Sequence, residues 1–222
     1  MGEDVKSIGL DSDLLSYVVA HSGGEDPVAA ELAAVTRNEF GDLAGMNIEQ
    51  DQGRFLEFLV GMIGARTVVE VGTFTGMSAL FLARGLPEGG RLVCFDLDER
   101  FVEVGRPYWE RAGVADRIEV RIGPAAETLE AWPTDDPIDL AFVDADKPAY
   151  GTYLDLLMER LSPAGVVAVD NVLWSGAVLD PDATDENTEA IRNFNDRVTA
   201  DPALDSVMLG IGDGITLIRR AG

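Results

Sequence analysis

The chain has 222 residues, 46% hydrophobic and 26% charged, which is typical of a globular protein with a full apolar core. Its 40 acidic and 17 basic residues give a formal net charge of -23. That charge leaves no basic surface for nucleic acid or for an anionic membrane. Cys94 is the single cysteine and cannot form an internal disulfide. We expect one domain, without a membrane span or a signal peptide in MGEDVKSIGL, located in the cytoplasm.

The first 64 residues predict helices. Apolar residues between positions 14 and 19 follow helical spacing. Asp26-Pro27 is typical of a helix start, and the pattern continues to about Phe40. A third apolar face covers residues 55–63 and ends near Gly64, and the polar, glycine-containing stretch GDLAGMNIEQDQG before it predicts a loop.

After Ala65, short apolar runs alternate with helical patterns. Near-continuous runs of valine, isoleucine, leucine and phenylalanine joined by helices predict parallel strands buried on both faces. The last two runs are separated only by GD, too few residues for a crossover helix, so they predict an antiparallel hairpin. The predicted strands are TVVEV, RLVCFD, RIEVRIG, IDLAFVD, GVVAVD, SVMLGI and GITLIRR.

A glycine-containing turn follows the first strand in VVEVGTFTGMSAL. Ligands of parallel sheets bind at the carboxyl ends of strands, and Gly72 and Gly76 would let a ligand approach the backbone closely. Asp96 ends the next strand, where an acid can accept hydrogen bonds from both hydroxyls of a ribose. Together they indicate an adenosine-type cofactor, although a plain turn with a capping acid is the alternative.

The spacing of these glycines argues against a dinucleotide. The dinucleotide fingerprint is G-x-G-x-x-G, whereas this chain has G-x-x-x-G directly after Glu70. An acid beside the phosphates would repel them, but it suits an ammonium group. The pattern therefore favours S-adenosylmethionine, and an NAD(P)-dependent reductase is the weaker alternative.

Acidic residues also follow two later strands. FVDADKPAY places Asp144, Asp146 and Lys147 after one strand, and VVAVDNVLW places Asp170 and Asn171 after the next. If these strands are neighbours, two carboxylates and an amide oxygen converge at one sheet edge. Such oxygen ligands suit Mg²⁺, Mn²⁺ or Ca²⁺. Acids that merely cap helices are the alternative interpretation.

Several of these motifs together resemble one known family. The stretches GMNIEQDQGRFL, VVEVGTFTGMSAL, CFDLD, GPAAETL, FVDADKPAY, VDNVLWSGAV and IGDGITLIRR resemble the cation-dependent O-methyltransferases, which include the caffeoyl-CoA and catechol enzymes. The resemblance implies a Rossmann-like class I methyltransferase fold, an α/β fold whose mostly parallel seven-stranded sheet has an antiparallel last strand. Extra N-terminal helices would form a cap over residues 1–64, and residues 65–222 would form the cofactor-binding core. The family also implies a homodimer.

The resemblance assigns roles by position. Lys147 matches the general base, and the metal ligands match Asp144, Asp170 and Asn171. Cofactor contacts are implied for Met46, Ile48, Glu70, Gly72, Thr73, Phe74, Ser78, Asp96, Ala125, Asp144 and Asp146. Substrate contacts are implied for Met46, Asp144, Lys147, Asn171, Trp174 and Ser175.

A few of the residues that could serve the site also have a purely structural interpretation. Phe74 and Trp174 could be ordinary core aromatics, and Cys94 inside a strand indicates core rather than a nucleophile. His21 is the only histidine, so a multi-histidine metal site is impossible. Its position before Gly23 indicates a helix C-terminal residue near the dipole.

The sequence predicts methylation of a small catechol-type phenol. The alternative is a coenzyme A thioester, whose phosphates need basic residues. The segment GAVLDPDATDENTEA after Trp174 carries five acids and no base, and Glu3 and Asp4 add to the acidity of the N-terminal region. A non-catalytic S-adenosylmethionine-binding module is the remaining alternative.

Overall fold

The computed structural model describes residues 9–222, and it is an α/β protein with one seven-stranded sheet between two layers of helices. Residues 1–8, which include Glu3, Asp4 and most of the segment searched for a signal peptide, lie outside the described residues. The helices are α1 (Ser12–His21), α2 (Pro27–Phe40), α3 (Gln50–Ile63), α4 (Met77–Gly85), α5 (Glu99–Arg111), α6 (Ala125–Glu130), α7 (Tyr150–Arg160) and α8 (Glu186–Ala200). The strands are β1 (Thr67–Val71), β2 (Arg91–Asp96), β3 (Ile118–Ile122), β4 (Ile138–Val143), β5 (Leu161–Val169), β6 (Leu204–Leu209) and β7 (Ile215–Arg220).

The sheet has the strand order β3-β2-β1-β4-β5-β7-β6. The first five strands are parallel, as the near-continuous apolar runs predicted. β7 lies between β5 and β6 and is antiparallel to both, so the predicted hairpin and the antiparallel last strand are confirmed. The strand order reverses between β1 and β4, and such a reversal opens a crevice at the carboxyl ends of the strands.

Alternate strand residues supply the two apolar layers of the core. On one face Val68, Leu92 and Phe142 pack with α2, α3, α4 and α5. On the other face Val69, Val93 and their neighbours pack with α6, α7 and α8. Cys94 belongs to the first layer and is fully buried, which confirms its interpretation as a core residue.

The N-terminal helices begin where the capping signals predicted. The Asp26 carboxylate accepts the backbone N–H groups of Val28 and Ala29 at 2.9 Å, so α2 begins at Pro27. His21 is the last residue of α1 and stacks on Tyr17, as expected of a helix C-terminal histidine. Between residues 9 and 222, no helix combines the length and the hydropathy needed to cross a membrane.

The prediction of a loop over residues 41–53 is wrong in extent. Gly41–Met46 form a 3₁₀ turn and α3 begins at Gln50, which leaves residues 47–49 outside a helix. Gln52 and Gly53 occupy buried positions on α3 but are not apolar. The helical period was therefore invisible in a pattern of hydrophobic residues.

Candidate active site

A cavity of about 1480 Å³ lies at the carboxyl ends of β1, β2, β4 and β5. Its position is the crevice expected where the strand order reverses. All the predicted site residues except Glu70 line it: Met46, Ile48, Gly72, Thr73, Phe74, Ser78, Asp96, Ala125, Asp144, Asp146, Lys147, Asp170, Asn171, Trp174 and Ser175.

Asp96 organises the glycine turn between β1 and α4. Its Oδ2 accepts the backbone N–H groups of Thr73 at 3.0 Å and Phe74 at 2.7 Å, and its Oδ1 accepts that of Asp98 at 2.9 Å. Oδ2 has both of its accepting positions filled, whereas Oδ1 has one left, so Asp96 can still accept a ribose hydroxyl through Oδ1. The acid therefore shapes the turn as well as facing the cavity.

Gly72 is required at this turn for two reasons. Its φ is +89°, which favours glycine, and a Cβ there would clash with the carbonyl oxygen of Asp144. The turn after β1 thus touches the backbone that follows β4. This close approach joins the Asp96 side of the cavity to the Asp144 side.

Glu70 lies on β1 behind the cavity wall. Its side chain is fully buried, and neither carboxylate oxygen has a hydrogen-bond partner among the described residues. Burial raises the pKa of Glu70 to about 7, and the nearby hydroxyls of Ser78 and Thr73 offset only part of this cost. A contact between Glu70 and a cofactor ammonium group stays a prediction.

Lys147 lies at the centre of the predicted metal and substrate residues. Its Nζ donates to Asp144 Oδ1 at 3.0 Å and to Asn171 Oδ1 at 2.6 Å. The ammonium group is also 5.1 Å from the ring centroid of Tyr150 and 5.6 Å from that of Trp174. β4 and β5 therefore bring the residues of FVDADK and VDN together, as their strand-end positions predicted.

Asp170 is buried and held from several sides. Its Oδ1 accepts the backbone N–H of Asn171 at 2.7 Å, and its Oδ2 accepts Nε2 of Gln52 at 2.5 Å. Burial and the nearby Asp144 carboxylate raise the pKa of Asp170 to about 7. Sequence reasoning missed Gln52 because it is one polar residue in a polar segment, 118 positions away from Asp170.

Tyr153 and Phe101 also line the cavity, although neither was predicted from the sequence. Tyr153 donates its hydroxyl to Asp146 Oδ1 at 2.7 Å and thereby orients this carboxylate. Phe101 lines the cavity and packs on Phe74 with ring centroids 4.9 Å apart. Phe74 is thus both a packed aromatic and a cavity residue. Tyr153 follows Asp146 by seven positions on α7, a spacing that carries no motif.

Strained backbone is concentrated at this cavity. Among the described residues, the non-glycine residues with positive φ are Phe74 at +49°, Asn171 at +56°, Trp174 at +48° and Ser175 at +50°, and all of them line it. Non-glycine residues in this region persist only where their surroundings hold them. Such residues are often found at functional sites.

Fold and site together define a class of protein. A sheet with an antiparallel β7 inserted beside β5, a glycine turn after β1 and an acid at the end of β2 are the features of a Rossmann-like class I methyltransferase. The side chains at the ends of β4 and β5 line another part of the same cavity.

Comparisons with known proteins identify the family. The sequence profile of the O-methyltransferase family matches residues 19–221. A caffeoyl-CoA O-methyltransferase from Populus kitakamiensis is 37% identical over 92% of this chain and 91% of its own. The catechol O-methyltransferase domain-containing protein 1 of Mus musculus is also 37% identical, over 93% of this chain and 79% of its own.

A solved structure supports the same assignment. The O-methyltransferase TomG from Streptomyces achromogenes, in complex with S-adenosylmethionine, is 31% identical. The match covers 96% of this chain and all of that chain, with a TM-score of 0.82. The chain therefore belongs to the O-methyltransferase family. It is an S-adenosylmethionine-dependent O-methyltransferase of the caffeoyl-CoA and catechol type.

Proposed function

We propose that this O-methyltransferase acts on a small catechol-type phenol and requires a divalent cation, Mg²⁺ or alternatively Mn²⁺ or Ca²⁺. The observation that carries the proposal is the meeting of Lys147, Asp144 and Asn171 within hydrogen-bond distance, with Asp170 adjacent in the chain. Two carboxylates, an amide oxygen and one amine then face the same part of the cavity.

The donor set fits a hard cation. Asp144, Asp170 and Asn171 offer oxygen ligands with a net charge of about -2, which leaves positions for water or substrate. In residues 9–222 no group of three acidic, histidine or cysteine side chains is arranged for a metal. The third ligand of the proposed site is the amide oxygen of Asn171, and asparagine is not one of those residue types.

The other end of the cavity fits the cofactor. The turn at Gly72 has no Cβ to obstruct a ligand, and Asp96 faces the cavity with accepting capacity left. Glu70 is a buried carboxylate whose oxygens have no hydrogen-bond partner within residues 9–222, so a positive charge nearby would stabilise its ionised form. These features suit the ribose and the methionine part of S-adenosylmethionine.

The residues of this chain have distinct tasks in the reaction. When bound, S-adenosylmethionine supplies the methyl group, and the cation lowers the pKa of a substrate hydroxyl. Lys147 Nζ, in its neutral form, accepts the proton from that hydroxyl. Asp144 and Asn171 hold Lys147 in place, while Trp174 supplies an apolar wall. Alignment and exclusion of water are the main demands, because opposite charges cancel during this transfer.

The charge of the cavity favours a free catechol over a coenzyme A thioester. Its described lining includes the acids Glu49, Asp96, Asp98, Asp144, Asp146, Asp170, Asp185 and Asp213, whereas Lys147 is the basic residue there. Like charges disfavour the approach of the phosphates of coenzyme A. The name of the Populus relative keeps the thioester as the second candidate.

Metal removal tests the cation. Methyl transfer from labelled cofactor to a catechol panel is expected to stop in EDTA and to return with Mg²⁺. Asp170→Asn should lower metal affinity and rate together. Asp98→Asn, which changes a cavity acid distant in sequence from this set, should not. Full turnover in EDTA, in protein verified to be metal-free, would reject the cation requirement.

Substrate competition tests the acceptor. We expect kcat/KM for a neutral catechol and for caffeic acid to exceed that for caffeoyl-CoA, with the gap shrinking at high salt. A thioester preference above about tenfold at low salt, or roughly 1.4 kcal/mol, would favour the second candidate. Absence of turnover with every acceptor, together with tight cofactor binding, would favour a non-catalytic binding module.

We also propose a homodimer formed through α3. Phe58 and Met62 are four residues apart on one face of this helix and are 70% and 65% exposed. Burying such a face favours association. Light scattering at micromolar concentration should give the mass of a dimer. Phe58→Glu should give a monomer, whereas Leu179→Glu, at another exposed apolar residue, should not. A monomeric wild type would contradict this proposal.

A further inference from the structure

The segment Trp174–Asp185 forms the wall of the cavity beside Lys147. Trp174, Ser175, Ala177 and Asp185 line the cavity. The segment contributes no buried residue within its 3₁₀ turn, Trp174–Leu179, and Leu179 is 86% exposed. Hydrophobic packing therefore does not explain how this wall keeps its shape.

The backbone of this wall needs external support. Trp174, Ser175 and Gly176 have successive positive φ values of +48°, +50° and +83°. The first two carry side chains, for which this conformation is unfavourable. One contact at its start comes from Asp213, whose Oδ1 accepts the backbone N–H of Ser175 at 2.6 Å. The remainder of the wall is held from α8.

Arg192 on α8 provides that support. Its Nε donates to the carbonyl of Val178 at 3.1 Å, and its terminal nitrogens donate to those of Ala177 and Ala183, each at 2.8 Å. A further bond reaches the carbonyl of Asp180, and the last donor bonds to Glu189 at 2.7 Å. All five N–H donors of the guanidinium are thus used, four of them on the backbone of one segment.

The guanidinium of Arg192 bonds to the wall segment and to Glu189, and not to the residues proposed to take part in the reaction. Its side chain does not line the cavity, so any effect on the substrate passes through the segment that it holds. A lysine has three donors without the planar fork, so it could not replace these contacts. Carbonyl groups released from the guanidinium would have to bond to water, and the backbone from Ala177 to Ala183 would lose these contacts. The contact of Asp213 with Ser175 alone would then hold the wall against its unfavourable backbone conformation.

We propose that Arg192 is a positioning residue that fixes the acceptor-side wall of the cavity and so sets the affinity for the methyl acceptor. The inference rests on the proposed function in one respect, that the acceptor binds beside Lys147. The cofactor end is formed by the turn at Gly72 and by Asp96, which Arg192 does not touch. Arg192 therefore acts on acceptor binding and leaves cofactor binding unchanged.

The test compares Arg192→Lys and Arg192→Met with wild type. The lysine keeps the charge and the methionine keeps an unbranched apolar stem, so both should fold. Arg197→Lys is the matched control, because Arg197 is on the same helix and bonds to Asp155 and to the carbonyl of Gly151 instead. Hydrogen exchange of peptides covering residues 174–185, KM for a catechol, kcat and the calorimetric Kd for S-adenosylmethionine are measured for each.

We expect faster exchange confined to residues 174–185, and KM for the catechol raised by about tenfold or more, which corresponds to about 1.4 kcal/mol. Cofactor Kd and kcat should stay within about twofold, and the methionine variant should be the more affected. Unchanged exchange, unchanged KM or an equal loss of cofactor affinity would overturn the proposal. A wild type inactive on every catechol would refute the proposed function alone, and segment exchange would still decide whether Arg192 holds the wall.

Discussion

The two ends of the cavity are built by different means. At the proposed cofactor end, the short turn after β1 is ordered by Asp96 at the end of β2. The unfavourable feature there is electrostatic, since the buried Glu70 carboxylate has no hydrogen-bond partner among the described residues. At the proposed acceptor end, the unfavourable feature is the backbone conformation of Asn171, Trp174 and Ser175. Support comes from other elements, through contacts such as the Asp213 carboxylate with the backbone N–H of Ser175. A site can thus combine a half ordered by one acid of the neighbouring strand with a half held by contacts from several elements.

Replacing Lys147 should reveal the largest functional difference between the two ends of the cavity. We expect Lys147→Ala to lower kcat by roughly 10²–10⁴, the range for one acid-base group, because no other basic residue lines the described cavity. Cofactor affinity should stay unchanged, since Lys147 bonds to Asp144 and Asn171. Steady-state kinetics and calorimetry check both. A variant with the kcat of wild type across the pH range would exclude Lys147 as the base.

The electrostatic cost at the cofactor end should appear as a pH dependence of stability. The pKa of Glu70 is about 7 in the folded protein, whereas the ordinary pKa of a glutamate, which applies to the unfolded chain, is 4.5. The folded state therefore binds more protons between these values, so this contribution is complete below pH 4.5 and is lost as pH rises through 7. The loss amounts to about 3 kcal/mol in the free energy of unfolding.

Glu70→Gln isolates this effect, because glutamine cannot ionise. Urea unfolding of cofactor-free protein should give similar stabilities for both proteins at pH 5 and a more stable variant at pH 8. Ser78→Ala, which leaves the carboxyl group in place, should retain the pH dependence of wild type. Parallel curves for wild type and Glu70→Gln from pH 5 to 8 would show that Glu70 does not carry this cost.

Asp96 should affect binding rather than the chemical step. We expect Asp96→Ala to weaken S-adenosylmethionine binding by about 1.5–3 kcal/mol, the range for hydrogen bonds to a charged group. Asp96→Asn should lose less, because its amide oxygen still accepts from the turn. At saturating cofactor, kcat should change little in the asparagine variant. Calorimetry showing an unchanged affinity in the alanine variant would place the ribose elsewhere.

Gln52 on α3 should affect metal binding at the proposed acceptor end, because it holds the Asp170 side chain. Loss of the bond to Asp170 Oδ2 in Gln52→Ala is expected to lower Mn²⁺ affinity by about 10–100-fold, as for other groups that orient metal ligands. Titration followed by electron paramagnetic resonance measures this without turnover. Gln50→Ala on the same helix, which loses a contact to Asp26, is the control. Equal Mn²⁺ affinity in both variants would mean that Gln52 does not orient Asp170.

Most of the fold could be predicted from the sequence because the central strands β1, β2, β4 and β5 are near-continuous apolar runs. The same strands predicted which site residues would meet, since acids at the ends of β4 and β5 must share one edge. The supporting residues could not be predicted. Gln52 and Arg192 are polar residues whose partners lie on other elements, so no local period or spacing distinguishes them. The early start of α3 was missed for the same reason, because Gln52 is buried by a polar contact.

The place of β7 in the sheet determines when β5 and β6 can complete their strand pairing during synthesis of the chain. β6 pairs only with β7, which follows it, and the edge of β5 is also covered by β7. On the ribosome, β6 and the β5 edge therefore remain unpaired until residues 215–220 have been added. At about 5–20 residues per second, β6 waits roughly 0.5–2 seconds from Leu209 to Arg220, and the β5 edge waits roughly 3–10 seconds from Val169 to Arg220. Both intervals are far longer than the microseconds in which a hairpin closes. Translation speed, rather than strand pairing, then sets how long an open sheet edge is exposed to neighbouring nascent chains.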